Sequence, residues 1–166
     1  MNPSGSRERK KRIFQVATPA RMEQLGAGLA NATPEGGAVY FLYGALGTGK
    51  TTLVRGFLKA LGHIGPIKSP TYTLVEPYRV GGRALHHFDL YRINNPEELE
   101  YLGIRDYFDG LSLCLVEWPE RGAELWIQPD VVVYIRHKGS EREVEIEGRT
   151  PRGKNILSHV SYVSNQ

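Results

Sequence analysis

A single cysteine, Cys114, stands in the 166 residues, so the chain can close no intramolecular disulfide and build no cysteine-based zinc cage. Both absences suit a reducing cytosol, and Cys114, in the run Leu-Ser-Leu-Cys-Leu-Val, reads as a small buried apolar residue. Also missing is any apolar stretch near the roughly 20 residues that span a bilayer. The basic N-terminus leads into no apolar signal-peptide core, so the expectation is a soluble, cytoplasmic protein without a membrane partner. Net charge is nearly absent from the body of the chain as well. The total is +3 and the pI about 9.0, yet Arg7, Arg9, Lys10, Lys11 and Arg12 face only Glu8 within residues 1–12. The other 154 residues hold sixteen basic and seventeen acidic side chains. The pI therefore describes an expected mobile basic tail, residues 1–12, and not the body. Arg55, Lys59, Lys68, Arg79, Arg83 and Arg92 are scattered and form no stripe of the kind that tracks a nucleic-acid backbone.

What is present is globular in kind. Hydrophobic residues make up 40% of the chain and charged residues 23%, which excludes wholesale disorder, and the length fits one domain over residues 13–166. Residues 13–17 are a short strand candidate. Thr18-Pro19 then reads as an N-cap followed by proline in the first turn, with Met22, Leu25, Gly26 and Leu29 at helical spacing to about Ala32. Residues 38–43, Ala-Val-Tyr-Phe-Leu-Tyr, are apolar or aromatic throughout, as in a strand buried on both faces. Residues 69–80 alternate like a strand, Gly81-Gly82 turns them back into residues 83–89, and Asn95-Pro96 opens a short helix. Residues 111–116 predict a second buried strand ending at Glu117. Residues 131–136 and 143–147 predict a last hairpin, and residues 152–163 fit a short helix or a strand equally well.

The stretch after residues 38–43 carries the chemistry. Gly44, Gly49, Lys50 and Thr51 satisfy G-x-x-x-x-G-K-S/T, and Leu53, Phe57, Leu58 and Leu61 follow at helical spacing, so strand, glycine loop and helix come in the order a phosphate loop requires. Glycines let backbone N–H groups converge on phosphate oxygens where a side chain would intrude. The helix that follows points its unpaired N–H groups and positive dipole end at the same anion. Lys50 brings a mobile positive charge to the β- and γ-phosphates, and the Thr51 hydroxyl can ligate Mg2+. The expected nucleotide-binding set is Gly44, Leu46, Gly47, Thr48, Gly49, Lys50, Thr51 and Thr52.

Such a site also needs a carboxylate near Mg2+ at the end of another buried strand. Glu117 closes the apolar run of residues 113–116, and Asp89 follows the less apolar residues 84–88; spacing alone does not divide the metal-holding and water-positioning roles between them. Ser69, Thr71 and Thr73 lie between the loop helix and Asp89, where a hydroxyl can reach the γ-phosphate, Mg2+ or the attacking water. His86 and His87 are adjacent, hence on opposite faces of a strand, and do not make a metal pair. Trp118-Pro119 can pack over the site or into the core. No Asn/Thr-Lys-x-Asp guanine-reading motif occurs, which favours ATP. The fold expected is α/β: a P-loop domain with a mixed central sheet, parallel around the loop and antiparallel at its hairpins, flanked by helices. Attack of water on the γ-phosphate would involve Asp89 or a hydroxyl of Thr71 or Thr73, with Lys50 offsetting developing charge. No arginine finger is evident in the motifs, so basal turnover should be slow. Two rivals share the loop: a small-molecule kinase, for which no arginine-rich lid is obvious, and a nucleotide-dependent binding module with incidental hydrolysis.

Taken together, the loop, Lys68-Ser-Pro-Thr-Tyr-Thr-Leu-Val-Glu-Pro-Tyr78, His87-Phe-Asp-Leu-Tyr-Arg92, Pro96-Glu-Glu-Leu-Glu100, Leu102-Gly-Ile-Arg-Asp-Tyr107 and Leu115-Val-Glu-Trp-Pro-Glu120 resemble the TsaE (YjeE) family of bacterial ATPases. The resemblance runs from about Leu25 to Gly122. It implies a P-loop ATPase required for N6-threonylcarbamoyladenosine at position 37 of tRNAs, which binds the TsaD and TsaB proteins and whose ATP hydrolysis supports repeated turnover of their complex, with tRNA as an indirect partner. By motif it implies that Lys50 contacts phosphates, Thr51 and Glu117 hold Mg2+, Asp89 assists hydrolysis and residues 69–73 act as a switch. It also implies that Thr18 lies near the adenine. The chain departs from the family pattern at Ala45, usually Asp, and Thr48, usually Ala; both are variable loop positions, so phosphate binding is expected to survive.

Overall fold

The computed structural model describes residues 10–163, apart from the side chains of residues 123–126. Seven strands form one sheet: β1 (Lys10–Val16), β2 (Ala38–Tyr43), β3 (Val75–Val80), β4 (Arg83–Asp89), β5 (Leu113–Glu117), β6 (Val131–Lys138) and β7 (Glu141–Gly148). Their order across the sheet is β1-β7-β6-β2-β5-β4-β3. The four central strands, β6, β2, β5 and β4, run parallel, while β1–β7, β6–β7 and β3–β4 pair antiparallel, which is the mixed sheet expected. Pro77 is tolerated in β3 because that strand lies at an edge, where a missing N–H breaks no ladder on its outer side.

Among the described residues four α-helices flank the sheet: α1 (Pro19–Ala32), α2 (Lys50–Ala60), α3 (Glu97–Tyr101) and α4 (Pro151–Ser158). One core packs Leu25, Leu29, Leu53, Phe57 and Ile156 against Tyr40, Leu85 and Leu115. The other packs Leu99 and Ile104 against Phe41, Phe88 and Val116 on the opposite face. Helices α1 and α2 cross closely at paired glycines. A Cβ on Gly26 would lie 2.0 Å from the Leu53 carbonyl oxygen, and one on Gly56 2.0 Å from that of Glu23. This contact, with Phe57 set edge-on to Tyr40 (centroids 5.3 Å apart), seats α2 on the sheet and so aims its N-terminus.

Two sequence expectations change and one open alternative is settled. Strand β1 begins at Lys10, so Lys10, Lys11 and Arg12 belong to the sheet and not to a tail; Arg12 donates to the carbonyls of Leu157 (2.8 Å) and Val160 (2.9 Å) at the end of α4. Residues 1–9 of the expected tail lie outside the described residues. The strand expected over residues 69–80 starts only at Val75, because the Leu74 N–H closes a turn onto the Pro70 carbonyl (2.8 Å) and Leu74 itself takes φ 73°. Finally, the ambiguous residues 152–163 give helix α4, opened by a Thr150 hydroxyl that accepts the Gly153 N–H at 3.0 Å. Thr150-Pro151 thus repeats the start that Thr18-Pro19 makes for α1, where the Thr18 hydroxyl accepts the Arg21 N–H at 3.1 Å.

Candidate functional site

At the end of β2 the chain turns through residues 44–49 and enters α2 at Lys50, so Lys50 and Thr51 are first-turn helix residues. Gly47 (φ 78°) and Gly49 (φ 112°) occupy left-handed conformations that side chains disfavour. A Cβ on Gly44 would meet the Thr48 hydroxyl at 2.6 Å and the Ile135 carbonyl at 2.9 Å. Gly49 caps α2 without a side chain, so no residue of its own competes for the helix's leading N–H groups. Thr48, at the variable position, turns its hydroxyl inward to the Ala45 carbonyl (2.8 Å) and leaves the cradle open.

Two adjoining clefts share Gly47, Thr48, Gly49 and Thr52. One, of 280 Å³, is lined by Leu46, Gly47, Thr48, Gly49, Lys50, Thr51, Thr52, Ser69, Thr71, Asp89, Glu117 and Trp118. The other, of 150 Å³, runs from Gly47, Thr48, Gly49 and Thr52 to Thr18, Pro19, Met22, Ser140 and Arg142. Together they have the size that takes a ligand of several rings and groups. Of the expected set, Gly44 alone lines neither cleft and instead shapes the base of the loop.

Within the larger cleft, Lys50 is 5% exposed and its Nζ donates to the Gly44 carbonyl and to that of Ala45 at 3.2 Å, while lying 4.2 Å from the centre of the Trp118 ring. Burial pushes the Lys50 pKa below its ordinary value, against the attraction of Glu117, Asp89 and Glu120. The Thr51 hydroxyl donates to both oxygens of Glu117 at 3.1 Å. Asp89 and Glu117 are register partners on β4 and β5, and both are buried. Burial raises the Asp89 carboxyl above its ordinary 3.8; the Tyr91 N–H on Oδ1 (3.0 Å) pulls it back and the neighbouring Glu117 charge adds to the rise. The Thr71 hydroxyl approaches Asp89 Oδ2 at 3.4 Å and Ser69 Oγ at 2.7 Å.

Thr73, expected as an alternative to Thr71, is not part of this cluster: it donates to Glu76 at 2.8 Å and is exposed, because the turn ending at Leu74 aims it outward. Two site residues, Arg142 and His87, escaped the motif reading, and Trp118, expected over the site or in the core, is found at both. Trp118 takes φ 56° and covers Lys50 while its ring meets Tyr91 at 4.9 Å, so it serves the site and the core at once. Arg142 on β7 donates to the Thr48 carbonyl at 3.2 Å from 94 residues away, and no local signal announces it. His87, wholly buried, sits with Nε2 2.6 Å from Glu117 Oε2. Its place two residues before Asp89 on one strand did put it on the Asp89 face. Of the scattered basic residues, Lys59 pairs with Glu23 (3.3 Å) and Arg83 donates to the Pro34 and Gly36 carbonyls (2.9 Å each).

Thr51 and Glu117 offer only hard oxygen ligands from two side chains, as suits Mg2+, which keeps waters and phosphate oxygens in its shell. Among the described residues no group of three or more His, Cys, Asp or Glu could cage a metal by itself. The residues therefore fit a metal that arrives with phosphates.

Comparison with known proteins agrees with the geometry. The model of the family described as threonylcarbamoyl adenosine biosynthesis protein TsaE matches residues 16–146, further in both directions than the motifs reach. A Haemophilus influenzae protein named tRNA threonylcarbamoyladenosine biosynthesis protein TsaE is 51% identical over 121 residues, 73% of this chain and 77% of the relative. Its Bacillus subtilis namesake is 40% identical over 119 residues, 71% and 74% of the two chains. The crystal structure of Bacillus subtilis YdiB superposes with a TM-score of 0.77 at 30% identity, covering 92% of this chain and 95% of that one.

Proposed function

The chain belongs to the TsaE family, and on that premise we propose that it is a Mg2+-dependent ATP hydrolase in the biosynthesis of threonylcarbamoyladenosine on tRNA, acting with the TsaD and TsaB proteins. The observation that carries the chemical part is the contact of the Thr51 hydroxyl with Glu117 (3.1 Å) beside the buried Lys50 and Asp89, all in one cleft over the glycine loop. In this reading the triphosphate lies along residues 44–51 and the nucleoside extends toward Thr18 and Met22. Lys50 exchanges its loop-carbonyl partners for phosphate oxygens, and the anion offsets the burial that depresses its pKa. Thr51 and Glu117 would hold Mg2+, whose charge, when it is bound, would offset that of the phosphate oxygens. Asp89, made more basic by burial, orients the attacking water with Thr71 and takes its proton at Oδ2, the atom Thr71 approaches.

No arginine lines this cleft among the described residues. A stabilising arginine is worth about 10³–10⁵ in rate in related chemistry, so its absence from the cleft supports slow basal hydrolysis that a partner accelerates. No helix among the described residues is long and apolar enough to cross a membrane, in keeping with a cytoplasmic role beside tRNA.

The test is repeated modification of tRNA in a mixture with purified TsaB, TsaC and TsaD, together with phosphate release and co-purification with and without ATP. Lys50→Ala should lower hydrolysis about 10²–10³-fold, the size seen when one preorganised charge-stabilising donor is lost, and stop modification after the first round. Many rounds with this variant, or transfer of labelled phosphate to a metabolite in place of water, would overturn the proposal.

A further inference from the structure

We infer that His87 is the positioning residue of the metal site, holding Glu117 by one carboxylate oxygen so that the other, with the Thr51 hydroxyl, is available to the metal. The inference rests on the Mg2+-dependent reading above. Thr51 alone cannot orient the carboxylate, since its hydroxyl is 3.1 Å from both Oε1 and Oε2. His87 breaks that symmetry: Nε2 lies 2.6 Å from Oε2, a short contact of the strength found when a donor meets a charged acceptor. An ionised carboxylate only accepts, so Nε2 carries the hydrogen. The other ring nitrogen, Nδ1, is buried without a partner.

A histidine kept for packing alone would be an expensive choice. His87 is fully buried on the face it shares with Leu85, where a leucine would leave no orphaned ring nitrogen. What the ring supplies that leucine cannot is the hydrogen bond to Glu117. Metal-ligating side chains are commonly held in this way by a second hydrogen-bonding partner. The same contact separates the two carboxylates. Glu117 is held by His87 and Thr51, which fits the metal, whereas Asp89 is held by the Tyr91 N–H and Thr71, which leaves it facing the attacking water.

The experiment measures Mn2+ affinity in the presence of ADP, by the loss of the free-ion electron paramagnetic resonance signal, alongside ADP affinity without metal by calorimetry. Loss of such a partner typically weakens metal binding about 10–100-fold, so His87→Leu should do so while metal-free ADP affinity stays unchanged. His87→Gln, whose amide nitrogen reaches the Nε2 position, should restore most of the loss; His87→Asn, whose amide is too short, should not. If His87→Leu does not fold, the difference between Gln and Asn decides. Wild-type Mn2+ affinity in His87→Leu, or equal affinities for Gln and Asn, would overturn the inference. Glu117→Gln separates the two levels: if it weakens Mn2+ binding while His87→Leu does not, only His87 is misassigned, and if it has no effect the metal reading itself falls.

Discussion

On the face that meets α2, three neighbouring strands begin alike and end differently. At one end β2, β5 and β4 set Ala38, Leu113 and Leu85 side by side; four residues later the same strands present Leu42, Glu117 and Asp89. All six are buried. The first row is ordinary core, whose burial stabilises in proportion to apolar area. The last row buries two carboxylates and faces Lys50, and burial disfavours the charged forms of both Asp89 and Lys50. The site is thus charged and partly shielded from water, the setting in which the proposed phosphate and metal would offset the cost of burial. Between the rows lies Tyr40-Leu115-His87, where the change from dry core to site takes place within one residue step.

Substitutions along β4 break this comparison most directly. Leu85→Ala should cost about 2.7–5 kcal/mol of stability, the range for leucine truncation in a packed core, read as a lower urea midpoint. Nucleotide affinity of the protein that remains folded should be unchanged. If Leu85→Ala abolished binding without loss of stability, the two ends would not be separable. The sheet's far edge gives a smaller effect. Arg12→Ala removes two hydrogen bonds from a charged donor, to the carbonyls of Leu157 in α4 and Val160 just after it, each such bond being worth about 1.5–3 kcal/mol when buried and less here at a half-exposed site. A stability loss without any change in ATP binding is expected, and an unchanged urea midpoint would return residues 10–12 to the tail.

Asp89→Asn should give the smallest change in stability, and of opposite sign. The folded-state pKa of Asp89 is raised, so the folded protein binds more protons than the unfolded chain between 3.8 and the raised value, and wild-type stability falls as pH climbs through that window. The variant lacks this titration. It should be the more stable protein at neutral pH, with the advantage shrinking as pH falls toward 3.8, while ATP hydrolysis drops. A variant less stable than wild type at neutral pH would show that the Tyr91 and Thr71 hydrogen bonds outweigh the burial cost.

Much of this was readable in residue order because it is local. The apolar run at 38–43 became β2 with those bounds, and the glycines with Lys50 and Thr51 became a loop and first helical turn. Both carboxylates sit at strand ends, and Cys114 is buried, its thiol pushed up to about 12 by desolvation. Thr150-Pro151 carried a helix start, which the structure bears out as the cap and first turn of α4.

The remainder depends on which strands become neighbours. Residue order placed Asp89 and Glu117 each at the end of a strand; only the parallel pairing of β4 with β5 made them register partners and gave Glu117 to His87 and Thr51. Likewise the β6–β7 hairpin was legible, but its reach to the loop through Arg142 followed from the packing of β6 beside β2. The sequence by itself determined the glycine loop and the helix start that follows it, because backbone geometry and helix polarity act over a few residues. The tertiary structure decided which hydrogen-bond partners each of the two carboxylates meets, because hydrogen bonds act over about 3 Å of space regardless of separation along the chain.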